Sequence, residues 1–316
     1  MLCSLFLEDY DISIEELTRY AMGLGEYGTV DYLEEVRSEM RMTINKLIDS
    51  CLLLKSNKEA HVKMHDMVRD VALWIGSKGE KEFMLRICTR FKQNENFDSM
   101  TAISLMTSNA EQLPNKLACR TLNILLLGRN ELDFSKVSDT LFEEMNVLKV
   151  LSLHVNSLSS QSLQLFTNLQ SLYLASCNFT DISSLGKLKR LEILSFYRCH
   201  MVALPNELGE LQSLRLLDLM RCDRQKLIQQ GLIQRLSSLE EVYIVKDNFK
   251  DWDDSKGQSY GSNVILSELS SLSRLIVLSF WRLKCLPEGF DFPYLQIYDI
   301  SINSLYGYHI FTYIYW

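Results

Sequence analysis

The sequence lacks the residue clusters that carry metal, redox or hydrolytic chemistry. None of its eight cysteines forms a C-x-x-C pair, and no cysteine stands near a histidine at the spacing of a zinc site. The five histidines are scattered, so no set of nucleophile, base and acid can be assembled around them. We therefore expect a protein that is not an enzyme, has no metal site, and keeps its cysteines as reduced, buried thiols.

Long apolar runs and an excess of basic charge are missing as well. No apolar run approaches the ~20 residues that a membrane-spanning helix needs. The opening MLCSLFL has no basic residue and is followed at once by Glu8 and Asp9, unlike a secretory signal. The formal net charge of −7 disfavours nucleic acid as a partner, because phosphate binding requires an excess of Lys and Arg. These features predict a cytoplasmic location.

The sequence does contain a leucine pattern that recurs nine times. The pattern L-x-x-L-x-L-x-x-N/C-x-L starts at residues 100, 122, 148, 169, 191, 214, 239, 275 and 295. Three copies have cysteine in place of the asparagine, at Cys177, Cys199 and Cys222. Repetition at this period indicates a leucine-rich repeat.

Each copy predicts one short strand and a return segment, which can bury its apolar face only against neighbouring copies. The chain is therefore predicted to form an α/β leucine-rich-repeat solenoid, a horseshoe, over residues 100–305. The Asn or Cys side chain is expected to turn inward and satisfy open backbone groups, a structural role that we favour over redox or metal chemistry. Residues 246–263 are predicted to be an acidic loop insertion without the ligand spacing of a calcium-binding EF-hand. Residues 306–316 form a non-repeat aromatic tail.

The strand residues between the leucines are predicted to face outward and to form columns along the stacked repeats. The first column is Ile124, Val150, Ser171, Ile193, Leu216, Glu241 and Val277. The candidate partner-binding residues lie in the other columns: Tyr173, Tyr197, Tyr243, Trp281, Asp218 and His154. Exposed aromatic side chains are typical anchors of protein interfaces. Packing against a neighbouring domain, or against each other, is an equally acceptable interpretation of them.

Residues 1–80 have a helical period instead. Ser13-x-x-Glu16 is a capping-box pattern, and an apolar stripe from Val30 to Ile48 predicts a second helix. Apolar runs over 51–54 and 60–64 predict a β-hairpin, and a third helix starts after Asp66 with an apolar stripe of Val68, Val71, Ala72 and Ile75. Three helices around a hairpin indicate an α+β winged-helix domain, followed by a linker over 81–99. Nine Lys and Arg against fifteen Asp and Glu in this domain favour a structural or regulatory role over DNA binding.

The order Met64-His65-Asp66 stands at the predicted start of the third helix. Asp66 is expected to cap free N–H groups of the first turn. His65 lies where those N–H groups and the helix dipole favour an anion. A His-Asp pair at a helix start is more often only a cap than a nucleotide contact.

Two blocks of this chain resemble plant NB-ARC disease-resistance proteins. Residues 3–12, CSLFLEDYDI, are similar to the block that opens their winged-helix subdomain, and residues 63–72, KMHDMVRDVA, resemble their MHD motif. Irregular leucine-rich repeats follow in the same order, to about residue 305. The resemblance is to the coiled-coil class of these intracellular immune receptors.

The resemblance implies a nucleotide-operated switch. In that family bound ADP holds a closed state, the motif histidine (His65 here, flanked by Met64 and Asp66) contacts the diphosphate, and the repeats restrain the switch. The repeats also sense a pathogen effector or a guarded host protein, and exchange for ATP permits defence signalling. The family's G-x-x-x-x-G-K-[ST] loop is absent from this sequence, so we expect a fragment that alone neither binds ADP usefully nor hydrolyses ATP. The alternative is a stand-alone repeat-based protein-interaction adaptor or a substrate-recognition subunit of a ubiquitin ligase.

Overall fold

The structure is a computed structural model of the 316-residue chain. It describes residues 1–28, 30–78, 85–87, 97–105, 113–127, 137–155, 157–179, 181–201, 203–220, 222, 228–245, 266–283, 294–304 and 307–314. The chain divides into two compact units. The first contains residues 1–156 and 168–172, and the second contains residues 157–167 and 173–316.

The first unit begins with three helices and a small antiparallel sheet. After a 3-10 turn (Leu2–Leu5) its elements are β1 (Ile12–Ser13), α1 (Ile14–Leu24), α2 (Leu33–Asp49), β2 (Leu54–Lys55), β3 (His61–Lys63) and α3 (Asp66–Lys78). The strand order is β1-β3-β2, with both pairs antiparallel. We call residues 1–78 the N-terminal module. Its helices and the β2–β3 hairpin confirm the predicted elements, although α2 begins at Leu33, after Val30.

Helix α1 starts and ends where its sequence dictates. The Ser13 side chain accepts a hydrogen bond from the Glu16 backbone N–H, which satisfies one free donor of the first turn. Gly25 ends the helix in the left-handed region at φ 77°, a conformation that favours glycine. The second helix is joined to the first through Glu15, which accepts hydrogen bonds from Arg19 on its own helix and from Arg37 on α2.

Helix α3 differs from its prediction. Arg69 and Gly76 are buried, while Val68 and Ala72 are only half-buried. Val71 and Ile75, which the predicted apolar stripe includes, are exposed to 52% and 50%. The buried side of the helix is therefore centred on Arg69, and much of its apolar side faces solvent.

The rest of the first unit is the beginning of a parallel ladder. Its strands are β4 (Leu85–Ile87), β5 (Ala102–Leu105), β6 (Ile124–Leu127) and β7 (Val150–His154), each parallel to the next. The strand β4 lies inside the segment predicted as a linker, 81–99. That prediction is corrected: the ladder starts before residue 100, because Leu85–Ile87 pairs with Ala102–Ser104.

The second unit continues the one-strand-per-repeat pattern. The strand β8 (Ser171–Ala175) is divided between the two units. The remaining elements are α4 (Ser160–Leu163), β9 (Asn178–Phe179), β10 (Ile193–Tyr197), β11 (His200–Met201), β12 (Leu216–Asp218), β13 (Glu241–Val245), β14 (Val277–Leu283), β15 (Ile297–Ser304) and β16 (Gly307–Ile314). Short 3-10 turns over Ser183–Lys187, Asn206–Glu210 and Ile233–Arg235 serve as return segments. The pairs from β10 through β12, β13 and β14 to β15 are parallel, whereas β16 is antiparallel to β15.

All nine predicted copies of the repeat therefore supply a strand. The pattern leucines are buried: Leu148, Leu151, Leu169, Leu172, Leu191, Leu194, Leu214 and Leu217 are each at most 1% exposed. The cysteines follow the same rule, since the Cys199 thiol donates to the Leu174 carbonyl of the preceding repeat (3.2 Å) and the Cys222 thiol to the Phe196 carbonyl (3.6 Å). These contacts confirm the inward, structural role of the cysteines at this position, whereas Asn130 and Asn156 lie outside the described residues. The predicted insertion over 246–263 lies outside the described residues.

One column of the repeats is not exposed as predicted. Val150, Ser171, Ile193, Leu216 and Glu241, together with Ile124, are fully buried, and Val277 is 7% exposed. In the first unit the reason is steric, because the N-terminal module lies against Val150 and Ser171. The predicted outward column is therefore an internal surface there.

Two kinds of feature are absent from the described part of the chain. No helix within it has the length and apolarity to cross a membrane. Nor does any group of three or more His, Cys, Asp or Glu residues come together there as a metal site would require.

Candidate functional site

The two family-like sequence blocks touch each other in the N-terminal module. Arg69, on the helix that follows Met64-His65-Asp66, is 7% exposed. Its Nε donates to the Phe6 carbonyl at 2.8 Å, and its Nη1 lies 3.4 Å from the Glu8 carboxylate. The block 63–72 is thereby fixed to the block 3–12. The burial of Arg69 could not be predicted from the sequence, because nothing in the sequence indicates that the two blocks are in contact.

His65, not Asp66, provides the cap of α3. The Met67 backbone N–H donates to His65 Nδ1 at 3.2 Å, and the Arg69 N–H donates to the His65 carbonyl at 2.9 Å. Asp66 is the first residue of the helix and is exposed, so the prediction that it caps the first turn is corrected. The imidazole reaches the free N–H group because it precedes the helix, in the N-cap position. His65 is exposed and Met64 is half-buried.

Asp11 joins the block 3–12 to the hairpin. Its carboxylate accepts a hydrogen bond from Ser56 Oγ (2.6 Å) and lies 2.9 Å from Lys58 Nζ and 3.6 Å from Lys63 Nζ. The hydrogen bond from Ser56, with the Lys58 and Lys63 charges, lowers the pKa of Asp11 to about 2. Asp11 therefore stays ionised and connects the start of β1 to the hairpin turn, through Ser56 and Lys58, and to β3, through Lys63.

The N-terminal module is docked on the first strands of the ladder through backbone carbonyls. Ser104 Oγ on β5 donates to the Leu5 carbonyl at 2.7 Å in a buried contact. Ser171 Oγ donates to the Arg19 carbonyl of α1 at 3.2 Å, and Lys149 Nζ donates to the Leu24 carbonyl at 3.1 Å. Leu24 is the last residue of α1, where the helix dipole favours a cation. We call Leu5, Arg19, Leu24 and their partners Ser104, Lys149 and Ser171 the docking contacts.

Gly23 allows the closest approach in this interface. A Cβ atom at this position would lie 2.7 Å from Ser171 Cβ and 2.8 Å from Val150 Cγ2, closer than real Cβ atoms come to their neighbours. No larger residue fits between α1 and the strands without a shift of one of them. Ser171 and Val150 belong to the column predicted to be outward, so sequence reasoning located these positions but assigned them the wrong surroundings.

The candidate partner-binding residues lie on strands of both units. In the second unit Tyr197 is 40% exposed, with the Arg198 guanidinium 5.4 Å from its ring centroid. Asp218 is paired in register with Tyr243, and both are half-buried. Asp218 accepts from Ser195 Oγ (3.3 Å), and the Tyr243 hydroxyl donates to Glu241 (3.0 Å).

The other three candidates are Tyr173, His154 and Trp281. Tyr173 is half-buried on β8 in the second unit, and His154 is half-buried on β7 in the first. The backbone of Trp281 belongs to β14, but its side chain lies outside the described residues. Sequence reasoning missed Arg198, which follows Tyr197 directly and adopts a left-handed conformation at φ 52°.

Sequence comparison links this combination of module and repeats to known proteins. No protein-family model matches the chain. The chain is 32% identical over 290 residues to the Arabidopsis thaliana "Disease resistance protein At4g27190", covering 88% of this chain and 29% of the relative. It is 28% identical over 316 residues to the Arabidopsis thaliana "Disease resistance protein RPS5", covering 96% of this chain and 33% of the relative. The chain thus spans about a third of the length of these curated relatives.

Structural comparison supports the repeat fold. A Leptospira interrogans LRR protein, LIC12759, superimposes with a TM-score of 0.51 at 22% identity, covering 66% of this chain and 52% of that protein. This likeness shows the leucine-rich-repeat architecture. Together with the relatives that cover most of its length, it shows that the chain belongs to the plant disease-resistance proteins with leucine-rich repeats.

Proposed function

We infer that this chain is the part of a plant immune receptor that connects a nucleotide-operated switch to its sensor. The relatives' names and the order of module and repeats support this function. The receptor acts by binding other proteins and not by catalysis of its own. The N-terminal module is then the regulatory winged helix, and the repeats recognise a pathogen effector or a guarded host protein in the cytoplasm.

The docking contacts are the observation that carries the proposal. Three carbonyls of the module receive hydrogen bonds from the first repeats, and Gly23 makes the approach close enough for them. A module held in this way can move only if these bonds break together. The repeats can therefore restrain the switch, and a partner that binds the repeats can change that restraint.

His65 would supply one contact to the diphosphate of ADP in the intact receptor. It is exposed at a helix start, which suits an anion. Its described neighbours do not complete a diphosphate site, because Asp66 is an exposed carboxylate and Arg69 is already bonded to Phe6 and Glu8. Bound ADP would supply no chemistry to a substrate here; it would hold the module in one position. The remaining phosphate contacts must come from the part of the relatives that this chain does not span.

The test is a chimaera in which this chain replaces the corresponding third of At4g27190. The variants are Gly23→Ala and Lys149→Met, with Lys187→Met as the matched control, since Lys187 donates to Gln164 within the second unit. In leaf tissue we expect the unaltered chimaera and the control to be silent, and both docking variants to trigger cell death without a pathogen. In the isolated chain the same two variants should accelerate amide exchange of α1, whereas Lys187→Met should not. If both docking variants accelerate amide exchange in α1 but their chimaeras trigger no cell death, the proposed restraint is contradicted.

A further inference from the structure

The third helix of the N-terminal module carries an exposed apolar face. Met67, Val71, Trp74 and Ile75 are exposed to 67%, 52%, 57% and 50%, more than large apolar residues usually are. They lie at positions i, i+4, i+7 and i+8 of α3, so they are neighbours on one side of the helix. We call these four residues the α3 face. Contiguous apolar surface of this kind marks an interaction site in soluble proteins.

The opposite side of α3 holds the helix in place. Arg69 is buried and donates to the Phe6 carbonyl, and Gly76 is buried in the last turn. The Arg69 bond therefore anchors α3 on the side opposite the α3 face. A preformed helix loses little conformational entropy on binding, which favours its use as a docking element.

The charges beside the α3 face select its partner. Asp66 and Asp70 are exposed on the same helix, near its N-terminal end, and the Glu8 side chain is 60% exposed beside Arg69. An acidic rim repels anionic lipid headgroups and nucleic acid, and it attracts Lys and Arg. The face itself spans only ~12 Å along the helix, at 1.5 Å for each of the eight steps from Met67 to Ile75.

We propose that the α3 face binds an amphipathic helix of a partner protein that carries Lys or Arg at one end. The apolar residues of that helix recur at i, i+3 or i+4, and i+7, and they pack against Val71, Trp74 and Ile75. Its basic end lies at Asp66 and Asp70, which fixes its direction along α3. This binding is separate from ligand recognition by the repeats and does not depend on the proposed restraint of the switch.

The test uses two fluorescein-labelled synthetic helical peptides with the same leucine face, one with four lysines at one end and the other with four glutamates there. Their binding to the whole chain is followed by fluorescence anisotropy. We expect the lysine peptide to bind at least tenfold more tightly than the glutamate peptide, and Trp74→Ala to weaken its binding at least tenfold. Met42→Ala is the matched control, because Met42 is 56% exposed on α2, and should have no effect.

A charge reversal distinguishes specific docking from adhesion of a sticky peptide. Asp70→Lys should weaken the lysine peptide and strengthen the glutamate peptide, while circular dichroism confirms an unchanged fold. Equal effects of Trp74→Ala and Met42→Ala, or an unchanged peptide preference in Asp70→Lys, would overturn the proposal. So would dimerisation in light scattering, or sedimentation with phosphatidylserine vesicles, that Trp74→Ala abolishes, because the occupant would then be a second copy or a membrane.

Discussion

Removal of the Glu240 charge should destabilise the second unit more than removal of any surface carboxylate. The Glu240 side chain is completely buried. It accepts from Arg215 Nε at 2.8 Å and Nη2 at 3.3 Å, and from Arg274 Nη2 at 2.9 Å. These residues connect the starts of neighbouring strands in the ladder. The substitution Glu240→Gln keeps the shape of the side chain and removes its charge.

The size of the stability loss depends on how well water can hydrate Arg215 and Arg274 once the Glu240 charge is removed. Arg274 is 40% exposed and can be hydrated by water, but the Arg215 side chain is only 16% exposed. Removing one partner of a buried ion pair costs about 3–5 kcal/mol, because the other charge stays desolvated. With partial hydration of the arginines we expect about 3 kcal/mol. Glu210→Gln is the control, since Glu210 and Lys189 are 57% and 56% exposed and such pairs contribute at most about 1 kcal/mol.

Amide hydrogen exchange is the suitable assay, because repeat arrays do not unfold in a single two-state step. A loss of about 3 kcal/mol corresponds to exchange on the order of 100-fold faster in β12 and β13. Arg215→Met added to Glu240→Gln should restore much of the protection, since an apolar replacement removes a desolvated charge that only Glu192, at 3.7 Å, still faces. If Glu240→Gln changes exchange as little as Glu210→Gln does, the reasoning from burial is refuted.

Three further predictions concern the thiols, the pH dependence of the module and nucleotide. In the native chain a maleimide should label exposed Cys51 within minutes and leave Cys199 unlabelled until denaturation, because burial raises the pKa of the Cys199 thiol; mass spectrometry of labelled Cys199 in the native state would contradict this. Burial opposes ionisation of Glu15, but the Arg37 hydrogen bonds and the Arg19 and Arg37 charges outweigh it and hold its pKa at about 2, below the ordinary 4.5. Its stabilisation is therefore complete above pH 4.5 and is lost as the pH falls towards 2, so urea unfolding of Glu15→Gln should show a weaker loss of stability over that interval than the parent chain. Calorimetry of the purified chain with ADP should give no micromolar binding, and a micromolar signal that His65→Ala removes would show a complete nucleotide site.

The repeat strands could be predicted from sequence because the signal is both periodic and redundant. Most copies supply a buried alternation of apolar residues, so a copy that departs from leucine, such as Leu239-Val242-Ile244, is still recognised from the period of its neighbours. The capping box at Ser13 was equally readable, since it depends only on residues three apart. The strand Leu85–Ile87 was missed because it lacks the leucine pattern and is defined by its pairing with β5.

Long-range contacts set the limit of prediction for the site. An alternating strand pattern distinguishes two faces but does not say that a second domain covers one of them, as happens at Val150 and Ser171. The sequence predicts the helix α3 correctly, but the side of α3 that is buried is determined by the hydrogen bond from Arg69 to Phe6, 63 residues away. Tyr173, Tyr197 and Tyr243 are confirmed as strand residues, and their partner-binding role stays a prediction.

The cap of α3 has a consequence for the chemistry of its histidine. Because Nδ1 of His65 accepts the Met67 N–H, that nitrogen carries no proton, and the neutral ring holds its hydrogen on Nε2. The helix start thus selects one tautomer. The orientation of the Nε2–H donor is fixed by the hydrogen bond that the other ring nitrogen accepts at the helix start. A substitution of His65 therefore removes the first-turn cap and the Nε2 donor together, so neither can be deleted without the other.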